Sequence, residues 1–510
     1  MSTTTSLDHL GVAASRWADR VALIDRDRTW TWSELDRAAG AIAARLGEHR
    51  VAAGDAVVLV LGDDGPSAAA FHGAVRTGAR VVLLHVGAGR AEYEDVLARV
   101  APRVVVGPAE RAPDLAELAP TWLDVADAAA SAPLFDRAMT DEPIAAPAPT
   151  DAEVLLFTSG TTARAKGVRH TSASLDAAAS RFLDAAALGA DDRFFLVSPL
   201  SSITGVLQAL VMAPRAGASV VLVDHWDDVA TTDLLLDTGA TFYGGPDVVL
   251  ARLLTELARR DRTDLPLRAV ALGGTMLDAD LLARVEDLGV SVMRAYGSSE
   301  VPFSTVTPRN ADRTERLTRD GRPVAGVEVR IGSGRDPREI CIRGPHQLVG
   351  FLDEEDEREA LRDGWYLTGD LGSMDGGSLV VEGRIKEIVI RNGVKVSLLE
   401  VERAVAALAD VEAAVAFRAD DPDTGEHLGV AVRRHAGTAF DGDALVGRLR
   451  DAGLATVKLP EELVDWVGPF PETASGKVRR DAVAGDTTAT RWCNDRVRRV
   501  HPRSQEGTST

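Results

Sequence analysis

The sequence predicts an α/β protein: a large N-terminal domain of mainly parallel sheets covered by helices, followed by a small α+β C-terminal domain. Three observations predict it. Short, near-continuous Val/Leu runs alternate with amphipathic helical segments over the first two-thirds of the chain, the pattern of strands buried on both faces. The alternation gives way to short strands among Gly-, Arg- and Asp-rich turns, then restarts past Gly383-Arg384 with a different order of elements. The 510 residues, 45% of them hydrophobic, exceed what one ordinary core needs.

The elements follow in order. Thr31-Trp32-Ser33-Glu34 has the form of a capping box, a hydroxyl followed three residues later by a carboxylate, and opens a helix running to about residue 46. Residues 56–61 read as a strand, 67–77 as a helix and 79–84 as a strand. Ala145-Ala146-Pro147-Ala148-Pro149 reads as a connector into a short apolar strand, residues 154–157. Strands are expected at 194–197, 218–223, 241–243, 268–272 and 292–294 with helices between them, and shorter ones at 327–331 and 339–342. The small domain reads as strand 388–390, helix 398–408, strands 413–417 and 430–433, and helix 444–451. The expected division is therefore an N-terminal domain of residues 1–382, a C-terminal domain of 387–484 and a mobile tail of 485–510 with little apolar periodicity.

Charge and cysteine content narrow the function classes. A net charge of −20 argues against nucleic acid or an anionic membrane as partner, so an anionic ligand needs local positive charge. Cys341 and Cys493 are the only cysteines and form no metal-ligand spacing, which fits a reducing cytoplasm. Asp8, His9, Arg16 and Asp19 interrupt the N-terminal region where a signal peptide would need an apolar core. The apolar stretch 203–213 is stopped by Pro214-Arg215, short of a membrane span. Nearly all basic residues are arginine. The lysines Lys166, Lys386, Lys395, Lys458 and Lys477 are candidates for places that need a point charge rather than a fork.

The chemistry concentrates in five motifs. Thr158-Ser159-Gly160-Thr161-Thr162-Ala163-Arg164-Ala165-Lys166-Gly167 follows the strand at 154–157. Small residues let successive N–H groups face one anion, hydroxyls donate further bonds, and the lysine adds a compact charge, as a polyphosphate cradle requires. It is not a Walker loop, because Ala165 precedes Lys166 and Gly167 follows it. Tyr296-Gly297-Ser298-Ser299-Glu300 offers an aromatic face for a base, hydroxyls for phosphate and a carboxylate for Mg²⁺. Tyr366-Leu367-Thr368-Gly369-Asp370 sets a carboxylate behind a tight turn, where it can accept from ribose hydroxyls. Gly383-Arg384-Ile385-Lys386 carries an arginine for ribose or phosphate, and Pro471-Glu472-Thr473-Ala474-Ser475-Gly476-Lys477 ends on a lysine in a Gly/Ser loop. Taken singly, each is also the chemistry of an ordinary turn.

Together and in this order, the motifs resemble those of the adenylate-forming superfamily of acyl-CoA synthetases, aryl and fatty acid–CoA ligases, luciferases and peptide-synthetase adenylation domains. The resemblance covers roughly residues 10 to 480. It implies that Thr158, Ser159, Gly160, Thr161, Thr162 and Lys166 grip the β- and γ-phosphates, and that Gly273-Gly274-Thr275 lines the adenine pocket. It implies that Tyr296 stacks on adenine, Ser299 contacts phosphate, Glu300 binds Mg²⁺, and Asp370 with Arg384 holds the ribose. Lys386, in the segment 383–386, matches the hinge of a mobile C-terminal domain, Lys477 the lysine bridging the substrate carboxylate and α-phosphate, and Gly393 the glycine of the pantetheine tunnel. Lys477, Glu300 and Thr161 are the catalytic candidates. The implied reaction uses ATP and Mg²⁺ to activate a small carboxylic acid as its adenylate, releasing pyrophosphate, with CoA as the implied acceptor. Two anions must meet, so catalysis is charge neutralisation and alignment.

Three departures bear on the reading. Ala163 and Ala165 stand where the family usually has glycine and proline, which changes the freedom of the loop. Ser202, in Pro199-Leu200-Ser201-Ser202-Ile203-Thr204-Gly205, stands near the histidine or aromatic gate of the acyl pocket, with no carboxylate for an α-amino acid. Val301-Pro302-Phe303 stiffens one wall, beside Tyr243, Gly244, Gly245, Asp247, Ala271 and Ser298 as pocket neighbours, which suits a mid-sized, partly polar aryl or functionalised acid. The acceptor stays open at this point: CoA, an amine as in amide synthetases, or an activated oxyanion such as nitrite acting on an amino-aryl acid. A non-catalytic nucleotide-binding relative is the remaining alternative.

Overall fold

The computed structural model describes residues 8–130, 152–158, 165–273, 277–391, 394–421, 425–472, 478–486, 488–494 and 497. The chain divides into two compact units, one of residues 1–330, 341–367 and 374–380, the other of 331–340, 368–373 and 381–510.

The first unit holds two large sheets. In the nine-stranded sheet the order is Arg322–Pro323, Thr305–Val306, Ser291–Tyr296, Ala269–Gly273, Phe242–Gly244, Arg193–Leu196, Ser219–Leu222, Val21–Ile24 and Thr29–Thr31. Its six central strands are parallel, and antiparallel pairs close both edges. The seven-stranded sheet runs Gly350–Phe351, Lys166–Thr171, Glu153–Thr158, Arg80–His85, Ala56–Leu61, Val104–Gly107 and Trp122–Asp124. Its last five strands are parallel. Ala56–Leu61 is buried at every position, as a strand covered on both faces must be. The expected α/β class and largely parallel sheets are therefore present. The capping box is present as well: Thr31 N donates to Glu34 Oε2 at 2.8 Å, Glu34 N donates to Thr31 Oγ1 at 3.2 Å, and the helix Trp32–Glu48 follows.

Two features depart from the sequence reading. Lys166–Thr171 is a strand, although its composition is too polar to read as one. The segment 203–213 is a helix with a wide π-helical stretch, Val206–Met212, buried throughout, and Pro214 falls harmlessly in the first turn of the short helix that follows.

A five-stranded sheet places Glu328–Ile331, Glu339–Arg343, Trp365–Asp375 and Leu361–Arg362 in order, with Ser378–Arg384 paired to Trp365–Asp375. In the second unit a β-hairpin, Ile388–Arg391 and Val394–Ser397, precedes a four-stranded sheet of Val411–Asp421, Gly425–Arg434, Glu462–Asp465 and Thr490–Cys493. Val389, Val401, Val430, Leu449 and Leu463 share its core. The tail expected from residue 485 contributes an edge strand: Leu463 pairs with Trp492, and Cys493 and Val497 are buried. Four residues are too few to show periodicity, so the strand is recognisable only through its partner. Among the described residues no helix is long and apolar enough to cross a membrane.

Candidate active site

The carboxyl ends of the parallel strands bring several sequence-selected residues to one sheet edge. Gly244 lies opposite Ala271, Ala271 opposite Met293, and Gly273 opposite Ala295, so Gly244, Gly273 and Tyr296 end neighbouring strands. In open α/β sheets ligands bind outside this edge. A Cβ on Gly273 would stand 2.1 Å from the Ala295 carbonyl oxygen, so only glycine allows the strands to approach here. Gly274 and Thr275 lie outside the described residues.

The phosphate-loop motif connects two antiparallel strands, with Thr158 opposite Lys166. Ser159, Gly160, Thr161 and Thr162 lie outside the described residues. At the far end of the motif, Lys166 Nζ pairs with Asp356 at 2.8 Å and Glu359 at 3.3 Å. Burial pulls the Lys166 pKa down, but hydrogen bonds to the two carboxylates outweigh it, and the net shift is upward. The lysine is charged and held by these two acids. Arg99, which the sequence reading did not select, donates to the Ala165 carbonyl at 2.9 Å. Its guanidinium also pairs with Asp95 and Asp353 and lies over the Phe157 ring. It thus holds the backbone at Ala165.

Tyr296 is 7% exposed at the end of its strand. Ser298 Oγ accepts from Glu300 N at 3.3 Å, which turns the chain between them. Two buried histidines hold this segment, and neither was selected from the sequence. The Ser299 carbonyl can only accept, so His170 donates from Nε2 at 2.7 Å, leaving Nδ1 to accept from Ser174 Oγ at 3.0 Å. Burial pushes the His170 pKa down to about 4, with the Ser299 bond opposing it. His346 Nε2 meets Ser304 Oγ at 2.8 Å, and that hydroxyl donates to the Val301 carbonyl at 2.8 Å. His346 is likewise pushed down to about 3 by burial. The Glu300 carbonyl accepts from Leu348 N at 2.7 Å. Its side-chain carboxylate is half-buried and has no partner among the described residues. One such hard oxygen donor fits Mg²⁺, which takes one or two carboxylates and completes its shell with phosphate and water.

Among the residues that the resemblance assigns to the acyl pocket, Ser202 Oγ donates to the Pro199 carbonyl at 2.7 Å and accepts from Gly205 N at 3.1 Å, capping the helix that follows. Tyr243 is fully buried in the core with Phe195, Leu250 and Val270, and its hydroxyl donates to the Pro246 carbonyl at 2.7 Å. Its place is structural. Asp63 accepts from Leu200 N at 2.7 Å, and burial pushes its carboxyl up to about 6.

In the second unit Asp370 and Arg384, which the sequence paired, meet at 2.7 Å, with the Asp370 carboxylate almost buried and Arg384 half-exposed. Asp370 N donates to Thr368 Oγ1 at 3.0 Å, and Gly369 N donates to Glu339 at 3.0 Å from a left-handed turn, φ 73°. Lys386 lies in a single helical turn, Ile385–Glu387. Gly393 and Lys477 lie outside the described residues.

The family of AMP-binding enzymes matches residues 10–352. The chain is 31% identical over 350 residues to a probable CoA ligase, CCL9, of Humulus lupulus, a match spanning 66% of each chain. It is 29% identical over 489 residues to the 3-[(3aS,4S,7aS)-7a-methyl-1,5-dioxo-octahydro-1H-inden-4-yl]propanoyl:CoA ligase of Mycobacterium tuberculosis, covering 91% of this chain and 95% of that one. ATP-bound MatB from Rhodopseudomonas palustris shares the fold, with a TM-score of 0.83, 23% identity, and 94% and 98% of the two chains covered.

Proposed function

The chain belongs to the family of AMP-binding enzymes, and from that premise we propose that it is an ATP-dependent carboxylic acid–CoA ligase working through an acyl-adenylate. The observation that carries the reading is the hydrogen bond from His170 to the Ser299 carbonyl. It fastens the strand that begins at Lys166 to the loop bearing Ser299 and Glu300, so one assembly carries the phosphate, base and metal candidates.

In this reading Thr158, Ser159, Gly160, Thr161, Thr162 and Lys166 hold the β- and γ-phosphates. Tyr296 faces the adenine beside Gly273, Gly274 and Thr275, and Asp370 with Arg384 holds the ribose. Glu300 would hold Mg²⁺, which offsets the negative charge of the polyphosphate. The substrate carboxylate attacks the α-phosphorus, the bond to the bridging oxygen breaks, and pyrophosphate leaves. Lys477 neutralises the charge shared by the carboxylate and α-phosphate in that step. The CoA thiol then attacks the acyl carbon along a tunnel lined by Gly393, AMP departs, and Lys386 is the hinge between the two half-reactions.

Acid-dependent ATP–pyrophosphate exchange across aliphatic, aryl and amino-aryl acids, followed by CoA-dependent AMP release, tests the proposal. Exchange with AMP release that ignores CoA but needs an amine or nitrite would replace the acceptor. Glu300→Ala should abolish most exchange, and near-normal exchange of that variant at limiting Mg²⁺ would remove Glu300 from the metal role.

A further inference from the structure

The helix that follows the acyl-site segment 199–205 carries one polar side chain in an otherwise apolar, fully buried stretch, Val206–Met212. Gln208 is 2% exposed, and its Nε2 donates to the Gly244 carbonyl at 2.7 Å. That bond fixes the orientation of the amide, since a carbonyl only accepts, and it leaves Oε1 as the free end. Oε1 is buried and has no hydrogen-bond partner among the described residues. The amide lies so close to Gly244 that a Cβ there would stand 2.5 Å from Nε2 and 3.0 Å from Oε1. Gln208 follows the segment 199–205 directly in the chain and touches Gly244, and both 199–205 and Tyr243-Gly244 are assigned to the acyl pocket by the sequence resemblance. π-Helical turns such as the one carrying Gln208 are concentrated at functional sites.

The hydroxyls of these two segments that the sequence selected are already engaged. Ser202 Oγ is engaged by Pro199 and Gly205, and the Tyr243 hydroxyl by Pro246. A buried acceptor left unmade is unfavourable, whereas an apolar residue of the same shape costs nothing comparable.

We propose that Gln208 is a specificity-determining residue of the acyl site, accepting through Oε1 a hydrogen bond from a hydroxyl or amino group on the substrate acid. The proposal rests on the ligase reading and sharpens it: the acid bears a hydrogen-bond donor away from its carboxyl group. Sites that bind a substrate hydroxyl or amino group discriminate strongly against the analogue lacking it, because the protein group is then left unpaired.

The test uses the full-length chain and matched pairs of aryl and alkyl acids, each hydroxy- or amino-substituted acid set against its unsubstituted parent. kcat/KM is measured by pyrophosphate exchange for the native chain, Gln208→Leu and Gln208→Met. The native chain should favour at least one donor-bearing acid over its parent by about tenfold or more. Both variants should bring that ratio close to one, chiefly by losing the donor-bearing acid. The ratio is read within one protein sample, so a partial loss of folded enzyme does not alter it. A thermal shift with ATP and the preferred acid should shrink in the same variants. Exchange with no preference in the native chain, or with a preference the variants retain, overturns the Gln208 assignment and leaves Oε1 to a buried water. No exchange with any acid overturns the ligase reading instead.

Discussion

Replacing His170 by leucine tests whether the bond between the phosphate-loop strand and the Ser299-Glu300 loop matters for catalysis or only for folding. The substitution removes the Nε2 donor, buried with the His170 ring, and leaves the Ser299 carbonyl unpaired in a partly buried place. Ser174 Oγ still accepts from Thr171 N at 3.1 Å, and the proton it gave to His170 can turn to the Thr171 carbonyl at 3.0 Å, so one group is orphaned, not two. One unsatisfied buried acceptor costs about 1–3 kcal/mol. If the loop shifts to recover a partner, Glu300 moves with it, and a displacement of about 1 Å in a reacting site costs roughly 100-fold in rate. The assay is pyrophosphate exchange titrated with Mg²⁺, beside a urea unfolding curve. His170→Leu should lower the exchange rate and raise the Mg²⁺ requirement, and His170→Gln, which keeps a donor, should recover part of both. The pH dependence gives an independent readout. His170 has a native pKa of about 4 against an ordinary value of 6.5. Between those values the unfolded chain holds a proton that the native chain does not, so stability falls as pH falls through that window and is unaffected above it. At one pKa unit per about 1.4 kcal/mol, the loss by pH 4 is on the order of 3 kcal/mol, and His170→Leu should lack this part of the slope. Unchanged exchange and Mg²⁺ dependence in a destabilised His170→Leu would refute the positioning argument.

Three further predictions address the remaining groups. Asp356→Ala combined with Glu359→Ala frees Lys166 from its two ion pairs. Partly exposed pairs of this kind contribute about 0.2–1 kcal/mol, so the KM for ATP should fall by up to about fivefold at low salt and converge with the native value at high salt; a raised KM would mean the acids orient the lysine. Asp370→Ala should raise the KM for ATP by roughly 10- to 100-fold, the loss of charge-assisted bonds of about 1.5–3 kcal/mol; unaltered discrimination against deoxyribose analogues would remove it from the ribose role. Lys477→Ala should slow adenylation by about 10²–10³-fold while sparing transfer from synthetic acyl-adenylate to CoA, and equal damage to both half-reactions would argue against alternation about Lys386.

What could be read from the sequence divides by the distance over which each signal acts. The capping box at Thr31 and Glu34 is legible because both partners lie within one turn of helix. Strands such as Ala56–Leu61 are legible because burial on both faces demands an unbroken apolar run. Lys166–Thr171 is not, because its buried positions include His170, whose burial is tolerable only through partners the sequence does not display. The same division runs through the site. Residues that the proposed chemistry would use, such as Glu300, Asp370 and Lys166, stand out by type and by motif.

Residues that hold them do not stand out, because their partners are remote. His170 and Ser299 are 129 positions apart, Arg99 and Ala165 66, and Gln208 and Gly244 36. Ser202 shows the converse case. A hydroxyl at an N-cap and a hydroxyl facing a ligand are the same residue type in the same kind of turn. Only the bond from Gly205 N at 3.1 Å, together with the one to the Pro199 carbonyl, shows that this hydroxyl is already committed. With Ser202 committed, polar selection in the proposed acyl site falls to another side chain, and Gln208 Oε1 is a buried acceptor with no hydrogen-bond partner among the described residues.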